Sequence, residues 1–155
     1  MHLAGEIAGA QTQWEPVNTG LSHLVVYDLA VDKDNRIFIG TLGGGVYRST
    51  DALAVSPTFA RTFTAGVGTS ASRTELALHR STGGVVTVYA ASGFNGGTVQ
   101  RSVDGGATWT QTIDNNFCTP QCFYDIAIAV DPTNAANVYL GGSPTLVFGR
   151  STDSG

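Results

Sequence analysis

The tetrapeptide Arg-Ser-x-Asp occurs three times in this chain, as Arg48-Ser49-Thr50-Asp51, Arg101-Ser102-Val103-Asp104 and Arg150-Ser151-Thr152-Asp153. Ser49 and Ser102 are 53 positions apart, and Ser102 and Ser151 are 49 apart. A unit of about fifty residues that recurs in this way is a repeat architecture, in which each unit is one supersecondary element that buries its faces against its neighbours. Whatever fold the chain adopts has to put equivalent residues in equivalent places three times over.

Each phrase closes a series of short β-forming runs. An alternating run comes first: Tyr27-Asp-Leu-Ala-Val-Asp32, Thr74-Glu-Leu-Ala-Leu-His79 and Tyr124-Asp-Ile-Ala-Ile-Ala-Val130. Two runs parted by glycine follow: Arg36 to Gly40 and Gly45 to Ser49, Val86 to Ala90 and Thr98 to Ser102, Val138 to Gly142 and Thr145 to Gly149. All have period two and are bounded by Gly, Asn, Asp or Pro, while no helical period extends over twelve residues. After the phrase an aromatic opens a fourth run, Phe59 and then Trp109, and Trp14 lies 45 positions before Phe59. Four strands per unit of about fifty residues is the arithmetic of a β-propeller blade. The expectation is an all-β chain, a propeller segment of about three four-stranded blades over 24–63, 73–113 and 124–155. An N-terminal strand over 11–17 is expected to complete a blade.

Composition narrows the function. Charged residues make up 13% of the chain, against a usual share of about 25%, and Lys33 is the only lysine in a chain of net charge −4. So little positive charge leaves no electrostatic footprint for nucleic acid or for an anionic membrane surface. No apolar run approaches the ~20 residues that span a bilayer. The opening segment lacks the basic and apolar regions of a secretory signal, so an export signal lies outside this sequence or there is none. The pair Cys118-Thr-Pro-Gln-Cys122 has no further metal ligands at matching repeat positions. It reads as a loop-closing disulfide, and thus as a mark of an extracellular or periplasmic setting, with two free cytosolic thiols as the alternative.

The second phrase continues as Ser102-Val-Asp104-Gly-Gly106-Ala-Thr108-Trp109. This S-x-D-x-G-x-T-W pattern resembles the Asp box, or BNR repeat, of sialidases, Vps10-type receptors and xyloglucan-active two-propeller glycosidases. In the first phrase Phe59 replaces the tryptophan and stands eight positions after Asp51 rather than five, and the third stops at Ser151-Thr-Asp153-Ser-Gly155. The resemblance implies that Ser49, Asp51, Ser102, Asp104, Gly106, Thr108, Trp109, Ser151 and Asp153 are structural. They cap the turn between the third and fourth strands of a blade, at the rim opposite the substrate face.

By the same resemblance, ligands are met at the other rim, where the inner strands begin. Three carboxylates recur there, Asp28, Glu75 and Asp125, at intervals of 47 and 50 residues. Arranged around a channel they could bind a cation, a sugar or a basic peptide, or one could act as a general acid; alternatively, each could bond the backbone of the neighbouring blade. Phe94, Phe117, Phe123 and Tyr124 are the aromatics on the loops of that rim, able to stack on a sugar or on a partner's side chains, or else to pack between blades. A sialidase-like site would, by resemblance, need an arginine triad and a Tyr-Glu pair. Arg36, Arg61, Arg73 and Arg80 are available, with Tyr27 and Glu75, but no Arg-Ile-Pro tripeptide is present.

The function expected is therefore that of an exported binding or scaffold module for a carbohydrate or a protein. The alternative is a sialidase-like or β-glucan-active glycoside hydrolase with part of its site outside this chain. No cofactor or metal is called for. Three blades leave two sheet faces uncovered, so the expected structural partner is the rest of a longer propeller or a second copy of the chain.

Overall fold

The computed structural model describes residues 14–64, 72–114, 116–143 and 148–155. Among the described residues the architecture is all-β, with one short 3-10 turn at Phe94–Gly96. The strands form three antiparallel sheets, each a meander in chain order. The first contains β1 (Val26–Val31), β2 (Ile37–Thr41), β3 (Gly45–Ser49) and β4 (Ala60–Phe63). The second contains β5 (Thr74–Arg80), β6 (Val86–Ser92), β7 (Thr98–Ser102) and β8 (Thr110–Asp114). The third has three strands, β9 (Ile126–Val130), β10 (Val138–Gly142) and β11 (Gly149–Ser151).

The first two sheets repeat each other in detail. The ladder between third and fourth strands slips once in each, between Val46 and Tyr47 in one and between Val99 and Gln100 in the other. These are the same position of the repeat, so the same residue pattern bends both outer strand pairs in the same place.

The sheets stack face to face through their inner strands, β1 against β5 and β5 against β9. Because the side-chain period of a strand is two, each sheet has a front turned to the following sheet and a back turned to the preceding one. Phe38, Val46 and Phe63 on the front of the first sheet pack with Leu76, Val86 and Val88 on the back of the second. Ala77, Tyr89 and Val99 on the front of the second pack with Ile126, Val138 and Leu140 of the third. The second sheet is thus covered on both faces, and every residue of β6 is buried. Gly40 makes the first contact close: a Cβ there would stand 2.3 Å from the carbonyl oxygen of Thr74.

The back of the first sheet has a lighter cover. Residues 18–23 climb along its outer strands, with the Phe59 N–H donating to the Thr19 carbonyl at 2.9 Å and Leu21 packed by Ile39, Tyr47 and Phe59. Here the structure differs from the expected N-terminal strand. Residues 14–17 form no strand and Trp14 is fully exposed, while positions 11–13 lie outside the described residues. A strand needs a ladder partner for its N–H and C=O groups, and none of the three sheets offers one there.

Candidate functional site

The three Ser-x-Asp turns share a geometry. Ser49, Ser102 and Ser151 each donate their hydroxyl to the carboxylate two residues on, at 2.8, 2.7 and 2.7 Å. Asp104 also accepts the N–H groups of Ala107 and Thr108, both at 2.9 Å, and the Thr108 hydroxyl at 2.6 Å. Gly106, at φ 78°, returns its N–H to the Ser102 oxygen at 2.8 Å. The hydroxyl and N–H of Thr108 hold the Asp104 carboxyl far below the ordinary carboxylate range. In the first turn three extra residues loop out, so Asp51 reaches Thr58, seven positions on, through its N–H and hydroxyl, both at 3.0 Å. The Asp51 and Asp104 carboxylates are thus taken up by donors of their own turns. Trp109 is half-buried, its ring 5.6 Å from that of Phe63 and its Nε1–H donating to the Thr62 hydroxyl at 3.4 Å.

At the opposite ends of the inner strands a second polar cluster forms. Asp28 accepts its neighbour's N–H, that of Leu29, on Oδ1 and the N–H of Leu76 in the next sheet on Oδ2, each at 2.7 Å. Glu75 pairs with Arg73 through Nε. The Arg73 guanidinium lies 4.8 Å from the centre of the Tyr27 ring, within cation–π range, and its Nη1 donates to the Tyr124 carbonyl at 2.7 Å. One arginine therefore joins the mouths of all three sheets. Burial raises the Glu75 pKa and the Asp28 carboxylate pushes it the same way, against the lowering effect of Arg73. Asp28, Glu75, Arg73, Tyr27 and Tyr124 are brought together. Asp125 follows at the start of the third inner strand, half-buried, its N–H donating to the Gln121 carbonyl at 2.9 Å.

Of the four loop aromatics, Phe123 and Tyr124 are exposed, at 54% and 68%, and Phe94 is half-buried. Phe117 is not available to a ligand, because its ring is 2% exposed in the core between the second and third sheets. The reason is glycine again: a Cβ on Gly97 would stand 2.5 Å from the Phe117 ring, and the bare backbone lets the ring lie flat. Cys118 and Cys122 are joined by a disulfide that closes the next turn, anchored by the Cys118 N–H to the Gly96 carbonyl at 2.9 Å. Beside it a groove of ≈ 350 Å³ opens between Tyr124, Asp125, Ile126, Ala127, Gly141 and Gly142.

The four arginines considered for a triad do not converge. Arg36 pairs with Asp32 at 2.5 Å and Arg80 with Asp34 at 2.7 Å, beyond the far end of β1 from Tyr27. Arg61 lies 6.0 Å from the Tyr47 ring. Arg73 alone reaches the mouth. Sequence reasoning left its role open because its three contacts lie on three different sheets. Among the described residues no group of three His, Cys, Asp or Glu side chains is arranged to hold a metal ion, and no helix is long and apolar enough to cross a membrane.

The chain matches no protein-family model, no curated protein and no solved structure.

Proposed function

We propose that this chain is a segment of an exported Asp-box β-propeller that works as a binding module, taking a carbohydrate or a protein at the mouth where the inner strands begin. The observation that carries the reading is the joining of Tyr27, Arg73, Glu75 and the Tyr124 backbone across three sheets. Exposed rings beside fixed charges are what a sugar or a partner's side chain needs: a flat apolar surface to stack on, with donors and acceptors at its edge. Tyr27 is 40% exposed and stands at this edge with Phe123 and Tyr124. The disulfide agrees with an oxidising compartment. The test is titration with a panel of oligosaccharides and of acidic and basic peptides, followed by calorimetry. Binding weakened by Tyr27→Ala and Tyr124→Ala, with unchanged melting, supports the reading; failure to bind any of the panel opposes it.

One observation favours a hydrolase as the second reading. Glu75, its pKa raised by burial beside Asp28, has the character of a general acid in a carboxylate pair. Turnover of fluorogenic sialosides or of xyloglucan that is abolished by Glu75→Gln would replace the binding module with a glycoside hydrolase.

A further inference from the structure

The two interfaces inside this molecule follow one rule. Each sheet presents alanine and a large aromatic at its front, Ala30 with Phe38 and then Ala77 with Tyr89, to branched aliphatic residues on the back of the next. The repeat supplies one further set of each kind, and both are open. On the front of the third sheet Tyr139 takes the place of Phe38 and Tyr89, with Phe148 stacked on it at 6.2 Å and 69% exposed. On the back of the first sheet Leu29 and Val31, at the positions of Leu76 and Leu78, are 59% and 56% exposed.

Two polar connectors tie the first sheet to the second. Asp28 on the first sheet, opposite Gly40, accepts the Leu76 N–H of the second; on the third sheet Ala127 stands opposite Gly141 and leaves that place open. Arg48 donates through Nη1 to the Gly105 carbonyl in the following sheet at 2.9 Å, and Arg150 is its exposed counterpart. Gly40 receives the Thr74 carbonyl, which begins the next inner strand. Its counterpart Gly141 lines the groove of ≈ 350 Å³ together with Ala127. That groove has the position and the bare backbone needed to seat the start of one more inner strand.

We propose that the occupant is a second copy of this chain, the front of the third sheet of one copy docking on the back of the first sheet of another. Arg150 then donates to the second copy's turn after Asp51, as Arg48 does to the Gly105 carbonyl. Leu21 covers only the outer half of that back, much as Phe117 does on the third sheet, which leaves the inner half for Tyr139 and Phe148. The contact is heterologous, so used twice it closes a pair and used repeatedly it builds a longer assembly.

Sedimentation and light scattering of the full chain across the micromolar range test this. The expected species has at least twice the mass of 16.1 kDa. Leu29→Asp on the back and Phe148→Asp on the front should each weaken self-association by about thirtyfold or more, as for a truncated hot spot. An equimolar mixture of the two variants should associate again, because an intact front then meets an intact back. Circular dichroism melts report whether the variants fold, and Arg150→Ala, which leaves the apolar face untouched, should weaken association even if an aspartate variant does not fold. A folded monomer at every concentration would overturn the proposal. So would association that survives both aspartate variants, or folded variants whose mixture stays monomeric.

Discussion

Asp104 caps a turn with its carboxylate, and Trp109 closes the gap behind that turn. Replacing Asp104 with alanine removes the acceptor of two N–H groups and two hydroxyls and should destabilise the fold by about 1 kcal/mol, as for a lost cap. Trp109→Ala should cost more, about 2–3 kcal/mol. That is the lower end of the range for large aromatics, because the ring is only half-buried. Urea melts of the two variants measure both, and a neutral Trp109→Ala would remove the ring from the list of structural residues. The capping serines and carboxylates of the turns were legible because their partners lie within seven positions in sequence. Phe117 was not, since its burial depends on Gly97, twenty positions earlier, arriving beneath its ring.

The strands themselves were readable from period two, and their ends from the glycines and prolines around them. Which glycines are bound by contact rather than by a turn was not readable. Gly40 sits inside β2 with an ordinary strand backbone, yet its missing side chain sets the approach of the second sheet. Gly40→Ala should cost about 2–3 kcal/mol, the scale of overpacking. Gly83→Ala, whose new Cβ meets nothing nearer than the Ser81 Oγ at 3.8 Å, should stay within ~0.5 kcal/mol. Paired thermal melts decide. The Cys118–Cys122 loop is short, so its reduction should lower stability by only about 2 kcal/mol in the chain-entropy model. Alkylation of native, oxidised protein should find no free thiol, and two reactive thiols would contradict the bridge. Of the strand expected over 11–17, the described residues 14–17 form none: an aromatic such as Trp14 opens a strand only when a ladder lies beside it.

For the whole molecule, acid is the informative variable. Asp131, held at about 2 by the Thr133 hydroxyl and N–H, is a carboxylate whose folded pKa is depressed, as are Asp104, Asp51 and Asp34. Such groups contribute stability that is fully present above the unfolded value of 3.8 and is lost as the pH falls through the folded values. Glu75 has the opposite sign: its raised pKa means the folded chain binds that proton more tightly, so stability rises as the pH drops through its folded value towards 4.5. Urea midpoints should therefore increase slightly on mild acidification and then decline below about pH 4. In Glu75→Gln the rise should vanish while the decline stays, and a profile unchanged by that substitution would show that Glu75 titrates normally. By itself the sequence determined the period, the order of the strands, the turn carboxylates and the recurrence of Asp28, Glu75 and Asp125, because each depends on neighbours close in the chain or on repetition. Only the tertiary structure decided that Arg73 joins three sheets at one mouth, that Phe117 is core, and that Leu29 and Phe148 remain uncovered. Those facts depend on which faces meet across about fifty residues of chain, and a face is not a property of any one strand.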